Sequence, residues 1–157
     1  MMELQPGDLL LYPPTSLMGW LIAWKTWSRP PISHVEVYLG NGQSAAARGD
    51  GVNIYRLRSD YSMVMRPQRA FNAGAAREWL ETVRGQKYDY LGLFIVFIAV
   101  RQGAPDKMYC SELATRLYRA GGLEPFHPDF DADRAAPATF LASWAFDKVV
   151  CVCGKQS

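Results

Sequence analysis

"ISHVEVYLGNG", residues 32–42, reads as a strand that runs into a turn. Side chains alternate faces along a strand. Val35, Val37 and Leu39 therefore share one face, and His34, Glu36 and Tyr38 share the other. Gly40-Asn41-Gly42 supplies the turn. A strand with one wet face would explain the alternation. A general base beside its orienting partner would explain it equally, since the base of a nucleophilic site is held by a third polar group.

Working outward, "GDLLLY" after Pro6-Gly7 is predicted as a short strand. "TSLMGWLIAWKTWS" is predicted as a helix, with Thr15 or Ser16 as its cap and Leu17, Leu21, Ile22 and Trp24 at near-helical spacing. "RPP", residues 29–31, ends it. Beyond the opening strand, residues 43–47, "VNIYRL" and "YSMVMRP" are further strands, and the stretch from about 33 to 67 reads as an antiparallel meander. Arg48 and Asp50, around the "RGDG" turn, are expected to be a solvated pair. Helical signals follow. "NAGAAREWLETVRGQ" has Asn72 as a cap and Gly85 as a stop, and "CSELATRLYRAGG" ends at Gly121-Gly122. A loop rich in Pro and Asp, a short helix in "APATFLASWAF" and a terminal strand "KVVCVC" complete the chain. Strands in one group flanked by helices give an α+β fold, a small antiparallel sheet packed against helices, in a single domain over 1–157.

The bulk numbers exclude several classes. With 49% apolar and 20% charged residues the chain can bury a core. Net charge is +2 without a basic block, so nucleic acid is not the expected partner. "LGLFIVFIAV", residues 91–100, falls short of the ~20 residues a membrane helix needs and is expected to be a buried helix or strand. The five tryptophans keep peripheral membrane contact open. "MMELQPGDLL" has no charged leader followed by an apolar run, so the expected location is cytoplasmic, with delivery by a phage or a secretion system as the alternative. Three cysteines without metal-ligand spacing imply no metal or other cofactor; Cys151 and Cys153 are expected to be small buried hydrophobes.

Cys110 is different. It opens the helix "CSELATRLYRAGG", with Leu113, Ala114 and Leu117 on its own face. It thus points toward the sheet from an end that carries unsatisfied N–H groups and about half a positive charge. A thiol there ionises more readily than a free one, and the same N–H groups suit a developing oxyanion. The bland alternative is a buried structural cysteine. A nucleophilic reading needs a base, which His34 supplies, and an orienter, for which Glu36 is the candidate. His127, in a loop, is expected at the surface.

The segments "QPGDLLLY", "SHVEVYLGNG", "RGDGVNIYRL", "VRGQKYDYLG", "YCSELATRLYRAGG" and "APATFLAS", in this order, resemble the NlpC-type papain-like cysteine peptidases and amidases. His34 precedes Cys110, as in the circularly permuted YiiX/YaeF-type and lecithin-retinol-acyltransferase-type relatives. The resemblance implies a permuted papain-like fold with the nucleophile Cys110 at a helix N-terminus and His34 as base. It also implies a tyrosine near the oxyanion site, matched by Tyr88, with Tyr90 as competitor. One position departs from the pattern. The usual third catalytic residue lies about twelve positions after the histidine, and here that residue is Ala46. Alanine cannot orient an imidazole. Glu36 is the preferred substitute, where many relatives carry glycine or an apolar residue; Ser44, Asp50 and Asn53 are weaker ones. Tyr38 and Ser44 are also candidates for lining the site.

The expected function is a cysteine hydrolase, amidase- or peptidase-like, working through a thioester. The substrate class is open between a small molecule, a peptide and a lipid acyl group. A lipid acyl hydrolase or acyltransferase is the alternative on the same fold. A non-catalytic lipid- or peptide-binding module is the reading that Ala46 favours.

Overall fold

In the computed structural model, residues 3–25, 27, 29–88 and 107–149 are described. The element order is β1 (Leu9–Tyr12), α1 (Leu17–Lys25), β2 (His34–Gly40), β3 (Gln43–Arg48), β4 (Gly51–Arg56), β5 (Met63–Pro67), α2 (Ala73–Val83), β6 (Lys87–Tyr88), β7 (Lys107–Met108), α3 (Cys110–Ala120), two 3-10 turns and β8 (Phe146–Val149). Six strands form one antiparallel sheet in the order β4-β3-β2-β1-β5-β8, and β6 and β7 make a short parallel pair. The fold is α+β. The expected run 91–100, Tyr90 and the cysteines Cys151 and Cys153 lie outside the described residues, as does the side chain of Tyr88.

The meander expected over 33–67 is half right. β2, β3 and β4 pair in sequence, but β5 does not continue from β4. It crosses to the far side of β1, with Leu10 opposite Val64. Burial agrees with this placement. Val64 and Met65, neighbours facing opposite ways, are both fully buried, as suits a strand inside the sheet between β1 and β8 with both faces covered. β4 is only partly buried from Asn53 onward, is exposed at Arg56 and serves as an edge.

The face formed by Leu9, Leu11, Val35, Val37, Ala45, Ala47 and Met65 carries the main core. Two helices pack there. Asn72 caps α2 by accepting from the Ala75 N–H at 3.0 Å, and Ala76 and Leu80 are its buried residues. α3 brings Leu113, Ala114 and Leu117 to the same core, and it ends where Gly121 caps it and Gly122 turns at φ +79°. The Tyr118 hydroxyl donates to the Gly7 carbonyl at 2.8 Å, which ties α3 to the entry of β1. The opposite face holds a smaller cluster of Leu10, Tyr12 and Val64. His34, Glu36 and Ser44 lie on this second face, by the registers Tyr12↔His34, Leu10↔Glu36 and Tyr38↔Ser44.

Candidate active site

His34 is the first residue of β2, so its ring sits at the end of the sheet, cross-strand from Tyr12. Cys110 is the first residue of α3 and is buried. The chain brings these two together: the Cys110 sulfur lies within interaction range of the His34 imidazole, close enough to shift its pKa by charge and hydrogen bonding. His34 Nε2 lies 3.1 Å from Glu36 Oε1. An ionised carboxylate only accepts, so Nε2 carries the proton and donates. Nδ1 is then the nitrogen left for the thiol.

Glu36 is fully buried, and its charge is fully matched. Arg48 donates from Nε to Oε1 and from Nη2 to Oε2, both at 2.9 Å. The Ser44 hydroxyl donates to Oε2 at 2.6 Å and the Tyr12 hydroxyl at 3.3 Å. Burial works to raise the Glu36 pKa. Hydrogen bonds and charge from His34, the Ser44 hydroxyl and the Arg48 guanidinium outweigh it, and the group lies below its ordinary 4.5. The same competition acts on His34. Burial lowers its pKa, while the Cys110 thiolate, by charge and hydrogen bond, and Glu36, by hydrogen bond and charge, raise it to about 9. Burial and the Glu36 charge push the Tyr12 phenol up, so it remains a donor.

The other expected residues fall elsewhere. Ser44 is buried with its hydroxyl on Glu36, which makes it a support for the carboxylate rather than a lining group for substrate. Tyr38 stands at the far end of β2, where its hydroxyl accepts from the Gly42 N–H at 3.2 Å. Ala46 is fully buried on β3 and lies on the Ser44 face, between Ser44 and Arg48. Asn53 accepts from Arg84 Nε at 2.8 Å, away from the imidazole. His127 is exposed, 3.5 Å from Asp129 Oδ2.

Arg48 corrects the expected solvated pair with Asp50. Its guanidinium turns inward to Glu36 and lies 4.2 Å over the Tyr55 ring, while Asp50 accepts from the Tyr55 hydroxyl at 2.7 Å. Arg48 and Tyr12 are the two residues that the sequence reading missed. Strand parity held the signal: Ser44, Ala46 and Arg48 alternate onto one face of β3.

Comparison with known proteins adds one finding. The chain is similar to the probable lipoprotein peptidase YaeF of Escherichia coli (strain K12), with 32% identity over 140 residues. The chain is a sequence relative of YaeF. The match covers 82% of this chain and 43% of YaeF, so the chain spans less than half the length of the curated relative it matches. No family model matches the chain.

Proposed function

We propose that this chain is a cysteine hydrolase in which Cys110 is the nucleophile, His34 the general base and acid, and Glu36 the residue that orients the imidazole. One observation carries the reading: a single imidazole links a buried thiol at a helix N-terminus to a buried, ionised carboxylate. The relation to a protein named as a probable peptidase supports an amide substrate, and a permuted papain-like topology suits a chain whose histidine strand precedes its cysteine helix.

The attraction between imidazolium and thiolate is mutual, so the pair favours the nucleophilic sulfur. The sulfur attacks the acyl carbon and the N–H groups at the start of α3 face the growing oxyanion. His34 passes its Nδ1 proton to the leaving amine, and the C–N bond breaks to leave a thioester. Water then adds to the thioester carbon and gives its proton to His34. The C–S bond breaks, releasing the carboxylic acid and restoring the thiolate.

Alkylation tests this directly. Cys110 should react with iodoacetamide well below the ordinary thiol pKa of about 8.5, and His34→Ala should remove that advantage. A wild-type rate no faster than a free thiol near neutral pH would sink the reading. A panel of acyl-amide and acyl-ester electrophiles, run on wild type and Cys110→Ala, then separates a peptidase from a lipid acyl hydrolase or acyltransferase.

A further inference from the structure

Helix α1 has apolar residues on both sides. Ile22 and Ala23 are buried against the protein, as is Gly19. The outer side carries Leu17, Trp20, Leu21 and Trp24 at i, i+3, i+4 and i+7, which are 81%, 56%, 44% and 67% exposed, and Trp27 follows at 78%. A helix that is apolar all round belongs in a second apolar environment as well as on its own core. Trp27 strengthens the point. It is a non-glycine residue at φ +50°, a left-handed conformation that bulky residues avoid, and it holds its indole outward.

We propose that this face of α1 docks the chain on an anionic lipid surface. The chemistry of the face selects that occupant. An indole has a wide apolar body and one N–H donor, which suits the boundary between acyl chains and headgroups. The charge also fits. Between Asp8 and Glu36 the sequence has Lys25 and Arg29 and no acidic residue, so the segment is cationic and matches anionic headgroups. A second copy of the chain suits it less well. A two-fold contact through α1 would set the same cations against each other, and the segment from 9 to 35 carries no anion of its own to pair them.

Docking there would set the candidate site close to the bilayer. A Cβ on Gly19 would lie 3.2 Å from Ser33 Oγ, so the inner side of α1 abuts the residue just before His34. The exposed face is then about one helix diameter, ~10 Å, from that point. A substrate chain tethered to lipid would meet His34 and Cys110 without leaving the surface.

The test is co-sedimentation of the full chain with vesicles of phosphatidylcholine alone or mixed with phosphatidylglycerol, together with quenching by bromine-labelled lipid. Wild type should partition to the anionic vesicles and its fluorescence should be quenched. The triple variant Trp20→Ser, Trp24→Ser, Trp27→Ser should lose about tenfold or more in partitioning. All three positions are exposed, so circular dichroism and Cys110 alkylation should be unchanged. Cys110→Ala should partition like wild type, which separates this proposal from the hydrolase reading. Three results overturn it: wild type that ignores both vesicles, a triple variant that binds as well as wild type, or a wild-type dimer in sedimentation velocity that the triple variant abolishes.

Discussion

Arg48 grips Glu36 with two nitrogens, Nε on Oε1 and Nη2 on Oε2, each at 2.9 Å. The carboxylate is fully buried and the guanidinium partly so, with 22% of the Arg48 side chain exposed. Removing one member of such a pair leaves an uncompensated charge. Arg48→Met should therefore destabilise the fold by about 3 kcal/mol in thermal unfolding at neutral pH. Arg48→Lys should recover only part of that loss, because an ammonium cannot reproduce the planar two-point grip.

Glu36→Gln keeps the shape but removes the charge that faces His34. Turnover of whichever acyl substrate the electrophile panel finds should fall about a hundredfold in kcat with little change in KM. Glu36→Ala should instead lower the melting temperature, since Arg48, Ser44 and Tyr12 all lose their acceptor. An unchanged kcat in Glu36→Gln would remove Glu36 from the orienting role.

Stability should depend on pH through the same two groups. Folding raises the His34 pKa from 6.5 to about 9. That contribution is complete below 6.5 and is lost as pH rises through about 9. Folding lowers the Glu36 pKa, so its contribution is present above 4.5 and is lost as pH falls through the folded value. In urea unfolding, the stability gap between wild type and His34→Gln should narrow from about pH 7 to about pH 10. A gap that widens over that range would mean that folding does not raise the His34 pKa.

Gly51 opens β4 at φ +114°, and a Cβ there would meet the Gln86 carbonyl at 2.7 Å. The contact is backbone on both sides. The Val52 N–H donates to the Gln86 carbonyl at 2.8 Å, and the Gly85 N–H donates to the Val52 carbonyl at 2.8 Å. Gly51→Ala should cost about 2–3 kcal/mol through strain and displacement, read as a lower urea midpoint at an unchanged m-value.

Local pattern carried much of the fold into the sequence. The alternation in 32–42, the Asn72 cap with Gly85, and the Cys110 helix closed by Gly121-Gly122 all appear as elements where the residues indicate them. Each is a short-range effect, set by φ preference, by side-chain bonds to nearby N–H groups, or by the period of burial. The juxtaposition of His34 with Glu36 belongs to this class, since two residues on one strand face must be neighbours.

The remaining features depend on contacts that no local rule ranks. β5 pairs with β1 and not with β4, a long-range choice visible only in the finished sheet, where Val64 and Met65 are buried on its two faces. Arg48 looked like the partner of Asp50, two residues away; β3 parity turns it instead toward a carboxylate twelve residues back on β2. The chain alone set the periodicities, caps and chemical types at His34, Glu36 and Cys110. Packing chose the partners, because a buried charge is stable only where distant residues supply its counter-charge and hydrogen bonds.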